Sequence, residues 1–167
     1  MDKVTFFSGV VLAMVLALPV VSHLLRRYPR LLSFINYLLL AVYLFANIYL
    51  TMLSRPVRMY HHMELTPFWS YAAWAQGDAE LREEVILNIL LYVPLGYLMH
   101  HAFPRLKWWL VILSGFALSA LTEAVQLVCK LGLCEIDDLI SNTLGTVIGV
   151  GAYMLYKRLE RRKQDQP

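Results

Sequence analysis

Charge is scarce in this chain. Only 16% of its 167 residues are Asp, Glu, Lys or Arg, against roughly a quarter in an average soluble domain. Two cysteines cannot build a disulfide scaffold. Missing too are a Gly-x-Ser-x-Gly elbow, a glycine-rich phosphate loop, a zinc-type Cys/His spacing, an internal repeat and a low-complexity linker. The adjacent pairs His61-His62 and His100-His101 supply no metal site, because neighbouring positions on a helix do not face each other. They read as interfacial histidines.

What remains is oil. Hydrophobic residues make up 59% of the chain, and its mean hydropathy is +0.54. Five apolar runs, Val4–Ser22, Ser33–Leu53, Ile86–Ala102, Trp108–Val128 and Leu139–Lys157, have about the length a helix needs to cross a hydrocarbon layer of roughly 30 Å. Each must be helical, since hydrocarbon offers no other partner to backbone N–H and C=O groups. The expected fold is therefore an all-α polytopic transmembrane bundle of about five helices, with residues 1–167 as one membrane domain. The first run reads as a span and not as a cleaved signal. Lys3 gives it a thin basic start, and Leu18-Pro19-Val20-Val21-Ser22 offers no cleavage site.

The few charges are unevenly placed. Ten of the fifteen Lys and Arg residues fall in the connector with Arg26, Arg27 and Arg30, the connector with Arg105 and Lys107, and the tail from Lys157 to Lys163. The positive-inside rule then predicts an external N-terminus and a cytoplasmic C-terminus. The basic tail reads as an interfacial anchor, so no nucleic-acid partner is expected. The one long connector, Ser54–Val85, falls outside. Its Pro67, Phe68 and Trp69 suit the bilayer interface. Asp78 is placed to cap a helix whose early turns carry Glu80, Glu83 and Glu84, and Pro94 with Gly96 predicts a kink in it. Ser141, Gly145 and Gly149, at four-residue spacing, form a small stripe that lets another helix approach.

Against this background the stretch ALTEAVQLVCKLGLCEIDDLISNTLG, residues 120–145, stands out. With the predicted topology, Asn88, the pair Glu123 and Gln126, and the group Asp137, Asp138 and Asn142 all lie near the outer ends of three different spans. Glu123 and Gln126 share a face, with Ser119 and Thr122 as neighbours, and Asp138 and Asn142 share another. A carboxyl exposed to lipid costs roughly 3 kcal/mol on insertion scales, so Glu123 should face the interior or a wet cavity. Two readings are open. The groups either bond to one another and pin the bundle, or line an outward cleft. In a cleft, Glu123 and Asp138 are the candidate catalytic acid and base, and Glu123, Asp137 and Asp138 could hold a divalent cation. Asn88, Gln126 and Asn142 would grip a sugar or phosphate. Cys129 and Cys134 flank the outer turn and could be bridged or reduced.

Asn88-x-x-x-Tyr92-x-Pro94-x-Gly96, Glu123-x-x-Gln126 and Asp138-x-x-x-Asn142-x-x-Gly145 together resemble the VanZ-like family of bacterial membrane proteins. Leu65-Thr66-Pro67-Phe68 is similar to that family's apolar Pro-Phe stretch, so the resemblance covers about residues 65–157. The family often carries an arginine in the turn near Gly132; here Lys130 is the nearest cation in that turn. The resemblance implies a role at the bacterial cytoplasmic membrane in low-level resistance to teicoplanin-type glycopeptides. It brings no established catalytic residues. The expected ligands are membrane lipid and either a lipid-linked cell-wall precursor or the glycopeptide itself. An enzyme acting on a lipid-linked phosphate or sugar is the alternative. A small transporter is a third, weakened by the lack of polar groups in the inner half.

Overall fold

The computed structural model describes residues 3–25, 27–53, 55, 57, 59 and 62–164; His61 lies outside them. Helix α1 spans Lys3–Leu24 and α2 spans Pro29–Ile48, running on into a π-helical turn, Tyr49–Leu53. A three-residue strand β1 (His62–Glu64) and a short helix α3 (Trp69–Ala75) follow. Then come α4 (Ala79–Ala102), α5 (Trp108–Cys129), strand β2 (Leu133–Glu135) and α6 (Ile136–Gln164). Among the described residues, four helical stretches are long and apolar enough to cross a membrane: Pro29–Leu53, Ala79–Ala102, Trp108–Cys129 and Ile136–Arg162. Their outward faces carry Phe34, Phe45, Leu121 and Val128, all exposed. Such faces suit lipid and not water.

Local chemistry sets the boundaries. Asp78 caps α4, its Oδ1 accepting from the N–H groups of Glu80 and Leu81 at 3.0 Å each. Gly77, at φ +102°, ends α3. The Asp78 and Gly77 amides there turn back to the carbonyls of Ala73 and Trp74, closing orphan acceptors at the helix end. Stop and start signals are thus adjacent residues.

Packing centres on α4, whose most extensive contact is with α6. A side-chain carbon at Gly145 would collide with the Ile89 carbonyl, one at Gly149 with the Val93 carbonyl, and one at Gly96 with the Thr146 carbonyl. Backbone meets backbone along the expected small stripe. Strands β1 and β2 pair in parallel, with His62 opposite Leu133 and Glu64 opposite Glu135. That pairing ties the long connector to the α5–α6 turn at one end of the bundle. At the other end, His100 is buried and stacks on Tyr153 at 4.8 Å, while His101 stacks on Tyr156 at 5.6 Å. The interfacial reading of His100 is corrected accordingly: its ring belongs to an aromatic nest between α4 and α6.

Candidate functional site

Three helices deliver polar side chains to the end closed by β1 and β2. The N-terminal half of α4 brings Asn88, the C-terminal half of α5 brings Glu123 and Gln126, and the start of α6 brings Asp137, Asp138 and Asn142. All but Asn88 are buried, each with at most 6% of its surface exposed. Most are tied across an element boundary. Asn88 Nδ2 donates to Asp138 Oδ1 at 2.6 Å. Asn142 Nδ2 donates to Ser119 Oγ at 2.9 Å. Gln126 Nε2 donates to the Thr51 carbonyl of the π turn at 3.0 Å. Glu123 Oε2 accepts the Glu135 N–H at 3.0 Å.

Adjacent Asp137 and Asp138 part company, as helix geometry requires of neighbours. The Asp137 carboxylate turns to α3. One oxygen accepts from the Phe68 N–H at 2.6 Å, and the other from the Ser70 N–H at 2.9 Å and the Ser70 hydroxyl at 2.7 Å. It caps a helix other than its own. Phe68 stands there at φ +64° with no cap from its own side chain. The Tyr71 hydroxyl bonds Ser141 Oγ at 2.7 Å, fixing the same segment a second time. Asp137 thus holds the Pro67-Phe68-Trp69 stretch, in which Pro67 and Phe68 are exposed and Trp69 half-buried. With both oxygens engaged it does not join Glu123 and Asp138 as a third ligand. Among the described residues no group of three or more His, Cys, Asp or Glu is placed to hold a metal ion.

The interhelical bonds do not use up the site. Gln126 Oε1 and Asn142 Oδ1 are buried without a hydrogen-bond partner. Tyr92 is turned toward Ser119 and Thr122 and within the electrostatic reach of Glu123 and Asp138. A buried polar atom left unpaired costs about 1–3 kcal/mol; two at one end of one bundle mark an incomplete environment. Sequence reasoning also passed over Arg55. A side chain at Gly132 would meet Arg55 Nη1 at 2.7 Å and Gln126 Oε1 at 3.5 Å. A guanidinium from the connector therefore covers the turn that holds no arginine of its own, and its charge reaches Glu123 and Asp138. Cys129 and Cys134 are free thiols.

Glu135, the last residue of β2, is buried. Burial first, then the charges of Glu84 and Glu123, push its carboxyl from the usual 4.5 up to about 7, with the nearby Trp69 indole pulling the other way. Between pH 4.5 and about 7 the folded protein holds a proton that the unfolded chain has released. The Glu135 contribution to stability is therefore complete below pH 4.5 and is lost as pH rises through 7. At about 1.4 kcal/mol per unit it totals roughly 3 kcal/mol. Glu135→Gln should match the parent near pH 4.5 and melt several degrees higher at pH 8. Thermal scans in detergent across that range check it, and a parallel offset at every pH would contradict it.

A family model described as VanZ/LLP1 matches residues 34–157. The chain is similar to "Protein VanZ" of Enterococcus faecium, 29% identical over 136 residues, a match spanning 77% of this chain and 80% of that one. No solved structure matches it.

Proposed function

The chain belongs to the VanZ/LLP1 family, and from that premise we propose that it is a multi-pass protein of the bacterial cytoplasmic membrane contributing to teicoplanin-type glycopeptide resistance. In this reading α1 is a fifth span, the C-terminus is cytoplasmic, and the polar end faces out. There it engages the head of a lipid-linked cell-wall component or of the lipidated antibiotic. The observation that carries the reading is the pair of unpaired buried atoms, Gln126 Oε1 and Asn142 Oδ1, in the cluster with Glu123, Asp138 and Arg55. Hydrogen-bond donors and acceptors held ready in a low-dielectric setting are what a sugar or phosphate head requires. The exposed Phe68 ring on the adjoining segment gives an amphipathic ligand an apolar surface at the same level.

Orientation is the first thing to test. In a background lacking Cys129 and Cys134, a membrane-impermeant maleimide applied to intact cells should label Gly77→Cys and spare Gln164→Cys. The reverse pattern puts the polar end in the cytoplasm and ends the envelope reading. Purified protein incubated with lipid-linked precursor should show saturable binding without turnover. Metal-dependent turnover would instead establish an enzyme using Glu123 and Asp138.

A further inference from the structure

The opposite end of the bundle carries a second set of charged groups, and it is basic. Arg30 lies in the first turn of α2, and Arg105 in the turn between α4 and α5. Both are exposed, and among the described residues neither stands in an ion pair. The sequence explains why. It holds no acid between Asp2 and Glu64, and none between Glu84 and Glu123. The remaining helix at this end, α6, offers Glu160, which Lys157 already holds at 2.9 Å.

Each arginine lines a recess, and the two recesses share a wall. One, of about 460 Å³, follows Arg30, Ser33, Phe34 and Tyr37 along α2. Steps of three and four residues put these side chains on one helix face. The other, of about 400 Å³, lies between Tyr37 and the turn at residues 103–106, with Arg105 in its lining. Tyr37 is the common wall. Its ring meets Phe103 edge-on at 5.5 Å, and the neighbouring Asn36 Nδ2 donates to the His101 carbonyl at 3.4 Å. These contacts tie α2 to the end of α4 where the recesses meet.

The lining is graded along α2. Arg30 is two helical turns, about 10 Å, from Tyr37, and Phe34 lies between them. Phe34 and Tyr37 are 62% and 47% exposed, within the stretch Pro29–Leu53 that is apolar enough to cross a membrane. A cation at the helix end with aromatic rings deeper follows the order of phosphate and acyl chain in a phospholipid. A soluble anion would use the arginines and leave both rings without a role. A zwitterionic headgroup would bring an ammonium to two guanidiniums and no free carboxylate. We infer that the joined recesses hold the headgroup of an anionic phospholipid that carries no amine. Arg30 and Arg105 draw its phosphate, and Phe34 and Tyr37 pack against its chain. Only the leaflet this lipid belongs to rests on the orientation proposed above.

The test compares phosphatidylglycerol with phosphatidylcholine of the same acyl chains. The readout is the concentration dependence of the thermal shift of the purified protein in a neutral detergent. Two arginines at the strength usual for basic side chains at an anionic surface predict about a thirtyfold preference for phosphatidylglycerol. Arg30→Gln combined with Arg105→Gln should cut that preference to roughly threefold or less. Without lipid this variant should melt as the parent does, since both side chains are exposed. Arg158→Gln combined with Arg161→Gln removes the same charge from the tail and should leave the preference intact. Glycerol 3-phosphate, a headgroup-sized anion without chains, should give no saturable shift. Equal affinity of the parent for the two lipids overturns the inference without recourse to any variant. An equal loss in the tail variant also overturns it, because the attraction would then be general to the basic end. A saturable shift with glycerol 3-phosphate would mark a site for a soluble anion and end the lipid reading.

Discussion

Gly145→Leu should yield no monodisperse protein in detergent, while Asn142→Ala, three residues earlier on the same helix, should purify and melt within a few degrees of the parent. The contrast follows from what each position touches. A carbon added at Gly145 runs into the Ile89 carbonyl and the Tyr92 Cβ. Overpacking among side chains costs about 1–3 kcal/mol because they can rotate away. A backbone carbonyl inside a helix cannot, so α4 and α6 must separate. That separation would also open the contacts at Gly96 and Gly149, where backbone again faces backbone. Asn142→Ala removes one bond to Ser119 and an oxygen that has no partner. Its net cost is about 1 kcal/mol. Size-exclusion profiles and melting curves measure both. Should Asn142→Ala fail as completely as Gly145→Leu, Asn142 belongs to the packing and the polar site shrinks by one residue.

The long apolar helices were legible because hydropathy acts over twenty residues at a time. The observed stretches Pro29–Leu53 and Trp108–Cys129 lie within a few residues of the expected ones. Glycine at four-residue spacing was equally legible, since close approach admits few other residues. The connector was not. Strands of three residues leave no alternation to detect, and β1 meets β2 across 71 positions of sequence. Asp137 and Asp138 could be marked as polar, but which would face α3 and which Asn88 depends on the rotation of α6. Arg55 looked like one more connector charge. Its position over Gly132 arises from the pairing of the connector with the α5–α6 turn, a through-space relation without a local signature. Glu135 lies two residues before Asp137 in the same polar stretch, but its burial comes with the same pairing.

Glu123→Gln should preserve folding and remove protection against glycopeptide. The folding half rests on what the carboxyl holds. Glu123 Oε2 accepts the Glu135 N–H, and a glutamine amide oxygen accepts the same bond with the same reach. The substitution also removes the cost of a charge at 6% exposure among other acids. Melting temperature should stay level or rise. The functional half rests on the surroundings. Arg55 bears electrostatically on Glu123, and the Cys134 thiol lies close to it. Nothing in that arrangement requires a carboxylate for packing alone, since a neutral acceptor satisfies the backbone. If the charge serves to orient Arg55 toward a ligand head, or meets the ligand itself, a neutral isostere cannot replace it. Resistance should then fall to that of cells carrying an empty vector. A stable Glu123→Gln protein with full protection would reduce Glu123 to a structural acceptor. Glu123→Asp separates charge from reach: it keeps the carboxylate one methylene short of the Glu135 amide, so it should lose stability and keep part of the protection. That opposite split, charge carrying function and reach carrying fold, is what a purely structural carboxyl would not produce.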